Sequence, residues 1–534
     1  MVTIPITYFG GGMAEDYSHG GMGECSVSKH FDTLSYPHRL QPLRSMTTES
    51  TTDSKIGNII VGTNGRLYGV GTDPGNPTFG KLWVRSDNNT TASGASYAAS
   101  STWRSLTTDQ LSGAVLRSGD YQFLVDYPDA ESPDTSNTRT IFWASTNIIV
   151  ASSPIGVGSA TTDALTFATI SQGFVHPKDK RLYFGYQTTG VEGSITYIGR
   201  ISPNTTPFGS KNYLALQLPG EYRVYSLCDY GNYLAIGCTT TQGDSKVFLW
   251  DRDETLTTIS EILNWGKGQL KVLNNLNGML VGVNTISANG ANTVQDSDGI
   301  QIKLYSGGAT PDTVKEIKAQ RLTTTNPSAT LNENVNFIYN NRLYFSANIV
   351  NGGTAPAYYG LWSFGRNKNG GFSTTIERMA TNTGTETGVL AAAINGDFVS
   401  MAHTAVGTLT FTTNGNTLST IYDATSVYES TINPEMAELD KEKKKQLMGV
   451  YCTYLPLPAD ATVVMEYRVD SSANGSWTTI FTETSDGVTF TERTKTDSSG
   501  EFTSGRKYEF RITSTDGAII TGWGYKYEVL KTNI

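Results

Sequence analysis

One pattern recurs along most of the chain, and it limits the fold more than any other feature of the sequence. An apolar strand is followed by a tight turn rich in Gly, Asn or Asp, and then by a second apolar strand that opens with Leu or Phe. The pattern is centred on seven residues, which are Leu67, Phe123, Leu182, Leu234, Leu280, Leu343 and Phe398. Its period of about 55 residues indicates an internal structural repeat.

Each repeat carries a second signature. It is a short strand with an aromatic residue, and it follows the first pattern along the chain. These aromatic residues are Trp83, Trp143, Tyr197, Trp250, Tyr305, Trp362 and Tyr422. Each repeat therefore offers three or four short strands joined by turns. A single antiparallel blade cannot bury both of its faces, whereas a ring of blades buries them and leaves only short edges. The sequence predicts an all-β fold whose main body is a β-propeller of about seven blades.

Two features of this propeller stay open at the level of sequence. The repeat at Phe123 matches the pattern least well, so six or eight blades also fit. An array of ordinary β-sandwiches with similar hairpins would give a comparable pattern. The last repeat lacks a strand after Tyr422, and we expect residues 38–50 to supply it, because a closed ring needs its edge sealed.

The composition changes on both sides of the propeller, which we place at residues 38–430. Residues 1–37 open with a Gly-rich segment and are predicted to form an extended N-terminal arm. Residues 431–447 indicate a charged linker or a short helix, with Asn433 as its N-terminal cap. Residues 448–534 alternate apolar and polar positions between turns, which predicts a small C-terminal β-sandwich.

Charge and cysteine usage exclude several classes of protein. The formal net charge is −9, which argues against a broadly basic nucleic-acid surface. The four cysteines show no CxxC spacing, so free thiols formed in a reducing cytosol are the simplest interpretation. The sequence shows neither a signal-peptide pattern nor an apolar run long enough to span a bilayer. We therefore expect synthesis in the cytoplasm and no membrane insertion.

The sequence shows no recognisable catalytic or ligand-binding motif. Its five histidines have no metal-binding spacing, and neither a P-loop nor a GxSxG elbow occurs. Asp296 and Asp298 suit a calcium-binding loop, but a solvated turn is the favoured interpretation. We accordingly predict no catalytic, cofactor-binding or metal-binding residue, no cofactor and no enzymatic activity.

A glycan-cleaving propeller is the enzymatic alternative, and it would need two carboxylates facing one pocket. Asp126, Asp251 and Asp423 lie near strand ends in different repeats and are the candidates, although capping of turns is the favoured role for each. The tryptophans of the repeat have the right chemistry to stack on sugars, but at this spacing they fit the core of the blades better.

Two stretches outside the repeat carry a resemblance to a known family. Residues 10–45 contain GGGMAEDYSHGG and SKHFDTLSYPHRLQPLRS, and residues 444–480 contain KKQLMGVYCTYLPLPADATVVMEYRVD and SWTTI, followed by GRKYEFRIT. In these stretches the chain resembles β-propeller virion proteins of tailed bacteriophages, of the tail nozzle or minor tail type. The resemblance implies a structural component of the tail that is made in the host cytoplasm and assembled into the virion.

The same resemblance implies a homo-oligomeric ring around the DNA exit path and contacts with other phage tail or connector proteins. Genomic DNA would pass without specific binding, which agrees with a negative net charge. Contact with the host surface also fits such a position. Two alternatives stay open, namely a tail-tip protein that binds a receptor or glycan through its C-terminal sandwich, and a propeller-fold glycan hydrolase.

Overall fold

The structure is a computed structural model that describes most of the chain. It describes residues 1–13, 23–43, 47–49, 56–62, 67–73, 76–85, 103–105, 124–127, 140–145, 148–152, 161–190, 193–202, 208–255, 258–287, 297–319, 327–350, 356–378, 389–395, 398–403, 409–412, 425–470, 476–495 and 501–530. Within these ranges the regular structure is β-strand apart from one short helix, as the all-β prediction requires. No helix in the described part of the chain is long and apolar enough to cross a membrane.

The strands before the propeller and those of its first three units follow one another in chain order. They are β1 (Val2–Ile6), β2 (Gly12–Met13), β3 (Glu24–Lys29), β4 (Thr47–Glu49), β5 (Ile56–Val61), β6 (Leu67–Asp73), β7 (Asn76–Arg85), β8 (Trp103–Ser105), β9 (Leu124–Tyr127), β10 (Thr140–Ser145), β11 (Ile148–Ser152), β12 (Thr161–Ala164), β13 (Thr169–Ile170), β14 (Phe174–Val175), β15 (Leu182–Gly190), β16 (Gly193–Ser202) and β17 (Ser210–Leu218).

The remaining strands form four further units and the C-terminal region. They are β18 (Tyr222–Tyr230), β19 (Tyr233–Thr240), β20 (Asp244–Trp250), β21 (Ile259–Lys267), β22 (Leu270–Leu276), β23 (Met279–Ser287), β24 (Ser297–Tyr305), β25 (Asp312–Lys318), β26 (Ser328–Tyr339), β27 (Arg342–Val350), β28 (Pro356–Arg366), β29 (Phe372–Arg378), β30 (Val389–Asn395), β31 (Phe398–His403), β32 (Leu409–Thr412), β33 (Ser426–Ser430), β34 (Lys445–Tyr454), β35 (Val463–Val469), β36 (Thr478–Glu483), β37 (Phe490–Thr494), β38 (Tyr508–Ser514) and β39 (Ile520–Val529), with the helix α1 (Glu438–Lys441) before β34.

The propeller strands pair into antiparallel units in chain order. The units are β5–β8, β9–β12, β13–β17, β18–β21, β22–β25, β26–β29, and β30–β32 together with β4. Strands β18, β22, β26, β30 and β5 contact one another in succession, β5 contacts β9, β9 contacts β14, and β15 contacts β18. The units therefore close into a ring, and their first strands face its axis.

The N-terminal strand β4 completes the last unit. Its residues pair antiparallel with β32, with Thr47 opposite Phe411 and Thr48 opposite Thr410. The expectation that residues 38–50 supply this strand is confirmed. The pairing seals the ring by joining a segment from before the first unit to the last one, and so removes an open sheet edge.

The repeat pattern locates the second strand of most units, and the second unit is the exception. Leu182 opens β15, which follows the two short strands β13 and β14 and pairs with both, and Leu343 lies within β27, the second strand of its unit. In the second unit Phe123 precedes the first strand, β9, and lies outside the described residues, whereas Trp143 lies in the second strand, β10. The long connection between β9 and β10 displaced the pattern, because a hairpin signal assumes a short turn.

The C-terminal region consists of two sheets that pack face to face. One has the order β1-β39-β34-β37, and the other continues as β3-β33-β38-β35-β36. Phe510 of β38 and Trp523 of β39 are both fully buried, and their ring centroids are 5.1 Å apart across the interface. Aromatic pairs at this separation contribute about 0.5–1.5 kcal/mol beyond the area that they bury.

The N-terminal segment differs from the extended arm predicted for residues 1–37. Strand β1 pairs with β39, so that Val2 lies opposite Tyr527. Phe9 and Met13 are fully buried in the core between the two sheets. Phe9 and Met13 thus have a surface to bury although they stand among glycines, and the described residues 1–13 are part of the sandwich.

The segment predicted as a charged linker or a short helix, residues 431–447, contains the short helix α1 and is packed against the sandwich. Its helix begins after Ala437, and Asn433 is not the cap. Asn433 has a φ of 47° and is buried, and its side-chain oxygen accepts a hydrogen bond of 2.9 Å from the backbone nitrogen of Tyr508. Lys445 is also buried and donates to the carbonyl oxygen of Asp440. The boundary at residue 448 is therefore a few residues late, because β34 begins at Lys445.

Candidate functional site

The first strands of the propeller units enclose a cavity of about 330 Å³ on the ring axis. The polar residues of its wall are Asn58, Gln172, Asn274, Glu333, Asn334 and Asn336. Apolar side chains that include Leu227, Phe337 and Tyr339 fill the spaces between them. Ligand pockets in proteins commonly combine an apolar wall with a few polar groups. We call this space the inner cavity.

A bulge in β26 shapes one side of the inner cavity. Asn332 pairs with Ser346 and Asn336 pairs with the next partner residue, Phe345, so three extra residues are inserted into β26. Val335 of the bulge is fully buried in the unit's core, whereas Glu333 and Asn334 line the cavity. Bulges often direct a side chain at a functional site, and this bulge brings a carboxylate toward the axis.

Two cations from neighbouring units contact that carboxylate. The Nη2 atom of Arg223 lies 3.4 Å from Oε1 of Glu333, and the Nζ atom of Lys271 lies 3.0 Å from Oε2. The Arg223 guanidinium also lies 4.6 Å from the ring centroid of Tyr225, and the ammonium of Lys271 lies 5.6 Å from it. Burial raises the pKa of Tyr225, and the nearby Arg223 opposes that rise. We call these four residues the charged cluster.

Amide side chains connect the units around the axis. Asn274 donates to Oδ1 of Asn336 at 3.3 Å, and Asn336 donates in turn to the carbonyl oxygen of Leu273 at 3.0 Å. Asn334 donates to the carbonyl oxygen of Gly57 at 2.7 Å, while its own Oδ1 is buried and has no hydrogen-bond partner. Hydrogen bonds within the protein thus hold these wall side chains in place, and the Oδ1 atom of Asn334 is a buried acceptor without a partner.

A second cavity, of about 850 Å³, lies where the strands of the third and fourth units end. Arg223 and Tyr225 are part of its wall, and Glu221 lies beside them. Because Arg223 lines this outer cavity and its partner Glu333 lines the inner one, the charged cluster lies between the two spaces.

Of the three carboxylates considered from the sequence, only Asp251 has a side chain that the structure describes. Asp251 is exposed and accepts a hydrogen bond of 3.0 Å from the backbone nitrogen of Asp253, which is the turn-capping role favoured for it. Asp126 lies on β9 opposite Ile141, and only its backbone is described. Asp423 lies outside the described residues.

The proposed calcium loop is only partly within the described structure. Asp296 lies outside the described residues, and Asp298 is placed by its backbone alone. No group of three or more metal-ligating side chains occurs among the residues that the structure describes. The four cysteines, Cys25, Cys228, Cys238 and Cys452, are buried free thiols whose pKa values are all raised by burial.

Tryptophans of the repeat occupy the blade cores. Trp143, Trp250 and Trp362 are fully buried, so their rings are not available to stack on a sugar at the surface. The residues of the charged cluster were missed by the sequence analysis. A charged residue inside the first, axis-facing strand of a unit is a sequence signal that could have indicated them. The segment LNENVNFIY around Glu333 is an example.

Comparison with known proteins gives structural likeness without sequence likeness. No family model matches the chain, and no curated protein matches it either. The chain is similar in structure to a sialidase of Trypanosoma rangeli, with a TM-score of 0.34 at 10% identity over 99% of this chain and 96% of that one. It is also similar to Raptor of Chaetomium thermophilum, with a TM-score of 0.40 at 8% identity over 70% of this chain.

A third similar structure is hydrazine synthase of Kuenenia stuttgartiensis, with a TM-score of 0.39 at 10% identity over 69% of this chain and 98% of that one. The chain spans only 29% of the length of Raptor. TM-scores this low do not locate a site or an activity in this chain. The fold is an all-β propeller-like ring on the evidence of its own strand pairing.

One prediction from the sequence is corrected by these comparisons. We predicted that the chain is not an enzyme because it shows no catalytic motif, but several of the similar structures are sialidases, which are glycosyl hydrolases. A missing motif is weak evidence on such folds, because catalytic groups that come from several units of a ring have no fixed spacing in the sequence.

Proposed function

We propose that the chain is a structural protein of a tailed-phage virion, of the tail nozzle or minor tail type. In this proposal it forms a ring of identical subunits around the DNA exit path and contacts other tail or connector proteins. Genomic DNA passes along the exit path that the ring surrounds, without specific binding. The chain is made in the host cytoplasm and becomes part of the tail.

The observation that supports this proposal is that the two stretches with the family resemblance fold into one body. Cys25 and Leu40 of the first stretch and Val450 and Met465 of the second belong to the same buried core. Strand β3 of the first stretch also joins the sixth propeller unit to the sandwich in one continuous sheet. A propeller and a sandwich that share one continuous sheet and one buried core suit a role in which force passes through the particle.

The experiment is mass spectrometry of density-purified particles of a phage that encodes the chain. We expect peptides of this chain in the particles, at a constant ratio to the capsid protein through successive gradients. A non-virion protein expressed at a similar level in the infected cells is the control. Recovery of the chain only from the cell lysate would refute the proposal, and a monomer in native mass spectrometry would refute the ring of subunits.

A second candidate function, a glycan-binding or glycan-cleaving protein, is favoured by the lining of the inner cavity. Amides such as Asn274 and Asn336 match the hydroxyl groups of a sugar, and Phe337 and Tyr339 add aromatic surface. The experiment is a glycan array with the whole chain, followed by chromatography of any bound glycan for released sugar. The absence of binding across the array would remove this candidate.

A further inference from the structure

The sandwich sheet β1-β39-β34-β37 has one face in the core and one face toward solvent. Tyr525 of β39 is buried in the core, so its neighbours Gly524 and Lys526 belong to the opposite face. Their partners on β1 are Pro5 and Thr3, and both of these residues are exposed. The face of the sheet that carries Lys526 is therefore open to ligands.

Two aromatic side chains lie next to each other on this open face. Tyr451 of β34 pairs with Gly524, and Phe490 of β37 pairs with Thr453, two residues after Tyr451. The two ring centroids are 6.1 Å apart, and the ring planes differ by 27°. Phe490 is 51% exposed, more than any other Phe, Tyr or Trp side chain that the structure describes. The two rings form one apolar patch in contact with water.

Glycines keep the sheet bare beside these rings. A Cβ atom at Gly524 would lie 2.5 Å from the hydroxyl oxygen of Tyr451 and 2.6 Å from its Cζ atom, so the end of the Tyr451 ring rests on the backbone of β39. Gly522, the next residue of β39 on the same face, also has no side chain to cover the rings. Because Tyr451 is held by this contact, little conformational freedom is lost when a ligand packs on it.

Polar groups that balance in charge border the aromatic patch. The Nζ atom of Lys526 lies 2.6 Å from Oε1 of Glu492, which is directly opposite Tyr451 on β37. Burial raises the pKa of Tyr451, Lys526 lowers it and Glu492 raises it, so both charges act at the Tyr451 hydroxyl. That hydroxyl makes no hydrogen bond within the described part of the chain. We call Tyr451, Phe490, Glu492 and Lys526 the sandwich platform.

This combination of groups matches the two kinds of surface on a neutral sugar ring. The C–H groups on the face of a pyranose carry small positive charges and pack on the negative face of an aromatic ring. Its hydroxyls both donate and accept, so they can use the ammonium, the carboxylate and the phenol of the platform. An acidic sugar gains no net attraction from a balanced ion pair. A protein partner needs about 800 Å² on each side, which is far more than two rings offer.

We propose that the sandwich platform binds a neutral sugar, which stacks on Phe490 and Tyr451 and directs its hydroxyls to Lys526 and Glu492. This inference rests on the glycan-binding candidate and gives it a second site, which shares no residue with the inner cavity. It is independent of whether the chain belongs to a virion.

The experiment uses the full-length protein and cellotetraose as the probe, in isothermal titration calorimetry at pH 7. Cellotetraose is a neutral chain of four glucose units whose ring faces are free of hydroxyls, and sorbitol is the control because it has hydroxyls but no ring. We expect cellotetraose to bind at least tenfold more tightly than sorbitol. Its affinity should change less than twofold when salt is added, since the ligand has no charge to screen.

Four variants test the residues. Phe490→Ala should weaken the binding of cellotetraose about tenfold, whereas Phe490→Trp should strengthen it several-fold through the larger ring, a gain that misfolding cannot produce. Tyr451→Phe keeps the ring and removes the hydroxyl, so it should weaken binding about threefold. The control is Leu439→Ala, which removes a still more exposed apolar side chain from α1 and should leave the affinity unchanged. Circular dichroism establishes that each variant is folded.

The outcomes separate this inference from the candidate function on which it rests. Cellotetraose binding that is unchanged in Phe490→Ala would overturn the sandwich platform and leave glycan binding standing at another site. Equal affinity for cellotetraose and sorbitol would overturn the stacking, as would an equal loss in Leu439→Ala. Failure of cellotetraose to bind would overturn the platform, and failure of every glycan on the array would overturn the candidate function as well.

Discussion

Lys29 of β3 pairs in parallel with Ile376 of β29, at the place where the sixth propeller unit meets the sandwich. Around this pair the backbone nitrogen of His30 donates to the carbonyl oxygen of Ile376 at 2.9 Å, and the hydroxyls of Ser28 and Thr375 lie 2.9 Å apart. The outer edge of the unit is therefore covered by a strand of the other domain. We expect the propeller and the sandwich to unfold in one cooperative transition.

The first prediction concerns the buried hydroxyl at this junction. Thr375→Val keeps the shape of the side chain but removes its hydrogen bonds to Ser28, so the free energy of unfolding should fall by about 1–3 kcal/mol. Urea denaturation followed by circular dichroism measures the change. The same substitution at the exposed Thr313 should change the stability by less than about 0.5 kcal/mol. Equal stability of Thr375→Val and the wild type would show that the junction hydrogen bonds contribute nothing.

The second prediction concerns Lys445 at the start of β34. Burial lowers the pKa of Lys445 to about 8, although the charges of Asp440 and Glu442 oppose the effect. Between pH 8 and its ordinary value of 10.5, the unfolded chain holds a proton that the folded chain has lost. The contribution of Lys445 to the free energy of unfolding therefore increases as the pH rises from 8 to 10.5.

The measurement is the free energy of unfolding of the wild type minus that of Lys445→Met, taken at several pH values. This difference should increase from pH 8 to pH 10.5, since the variant has no amine to deprotonate. The neighbouring Lys444 is exposed, and Lys444→Met is the matched control. A flat profile for Lys445→Met would contradict the lowered pKa.

The third prediction concerns Glu254, which joins the third and fourth propeller units. Its carboxylate accepts hydrogen bonds from Nε and Nη2 of Arg200 at 2.7 and 3.0 Å, and from Asn212 at 2.8 Å. Burial alone would raise the pKa of Glu254, but these hydrogen bonds outweigh it and lower the pKa. Glu254→Gln should therefore cost about 1–3 kcal/mol at pH 7.

Because the folded pKa of Glu254 is lowered, its contribution is present above its ordinary value of 4.5 and is lost as the pH falls further. The stability difference between wild type and Glu254→Gln should shrink below that pH in chemical denaturation experiments. Glu501 is exposed, and Glu501→Gln is the matched control. A difference that grows in acid would mean that folding raises the pKa of Glu254 instead of lowering it.

The fourth prediction concerns the four buried cysteines. Burial raises the pKa of Cys452 from 9.0 to about 12 and that of each other cysteine well above its usual range. Since the thiolate is the reactive form, native protein at pH 8 should react with Ellman's reagent only as fast as it unfolds. Denatured protein should release four equivalents at once. One fast equivalent in the native protein would mean that a thiol is accessible.

The sequence predicted the elements that depend on neighbouring residues. Hairpin anchors such as Leu234 and Leu280 lie at the second strands of their units. A hairpin can be predicted in this way because its turn residues and its alternation of apolar and polar positions lie within one short stretch of sequence. The closing strand near Thr48 was predicted from an unfilled position in the last unit. These features follow from local patterns and from the rule that a ring leaves no edge open.

The sequence could not predict contacts between distant segments that lack a pattern. Phe9 and Met13 stand among glycines, so their burial under the sandwich left no periodic signal. The charged cluster takes Arg223, Lys271 and Glu333 from three different units, and the bulge that directs Glu333 to the axis breaks the alternation of β26. Only the closed ring brings these residues together.

The pairing of β4 with β32 and of β1 with β39 has a consequence during synthesis. Thr48 leaves the ribosome long before its partner Thr410, and Val2 even longer before Tyr527. At the usual 5–20 residues per second, Val2 waits roughly half a minute to nearly two minutes for its partner. Until their partners emerge, β1 and β4 are available to other chains, so crowded polysomes should favour exchange of these strands between nascent copies.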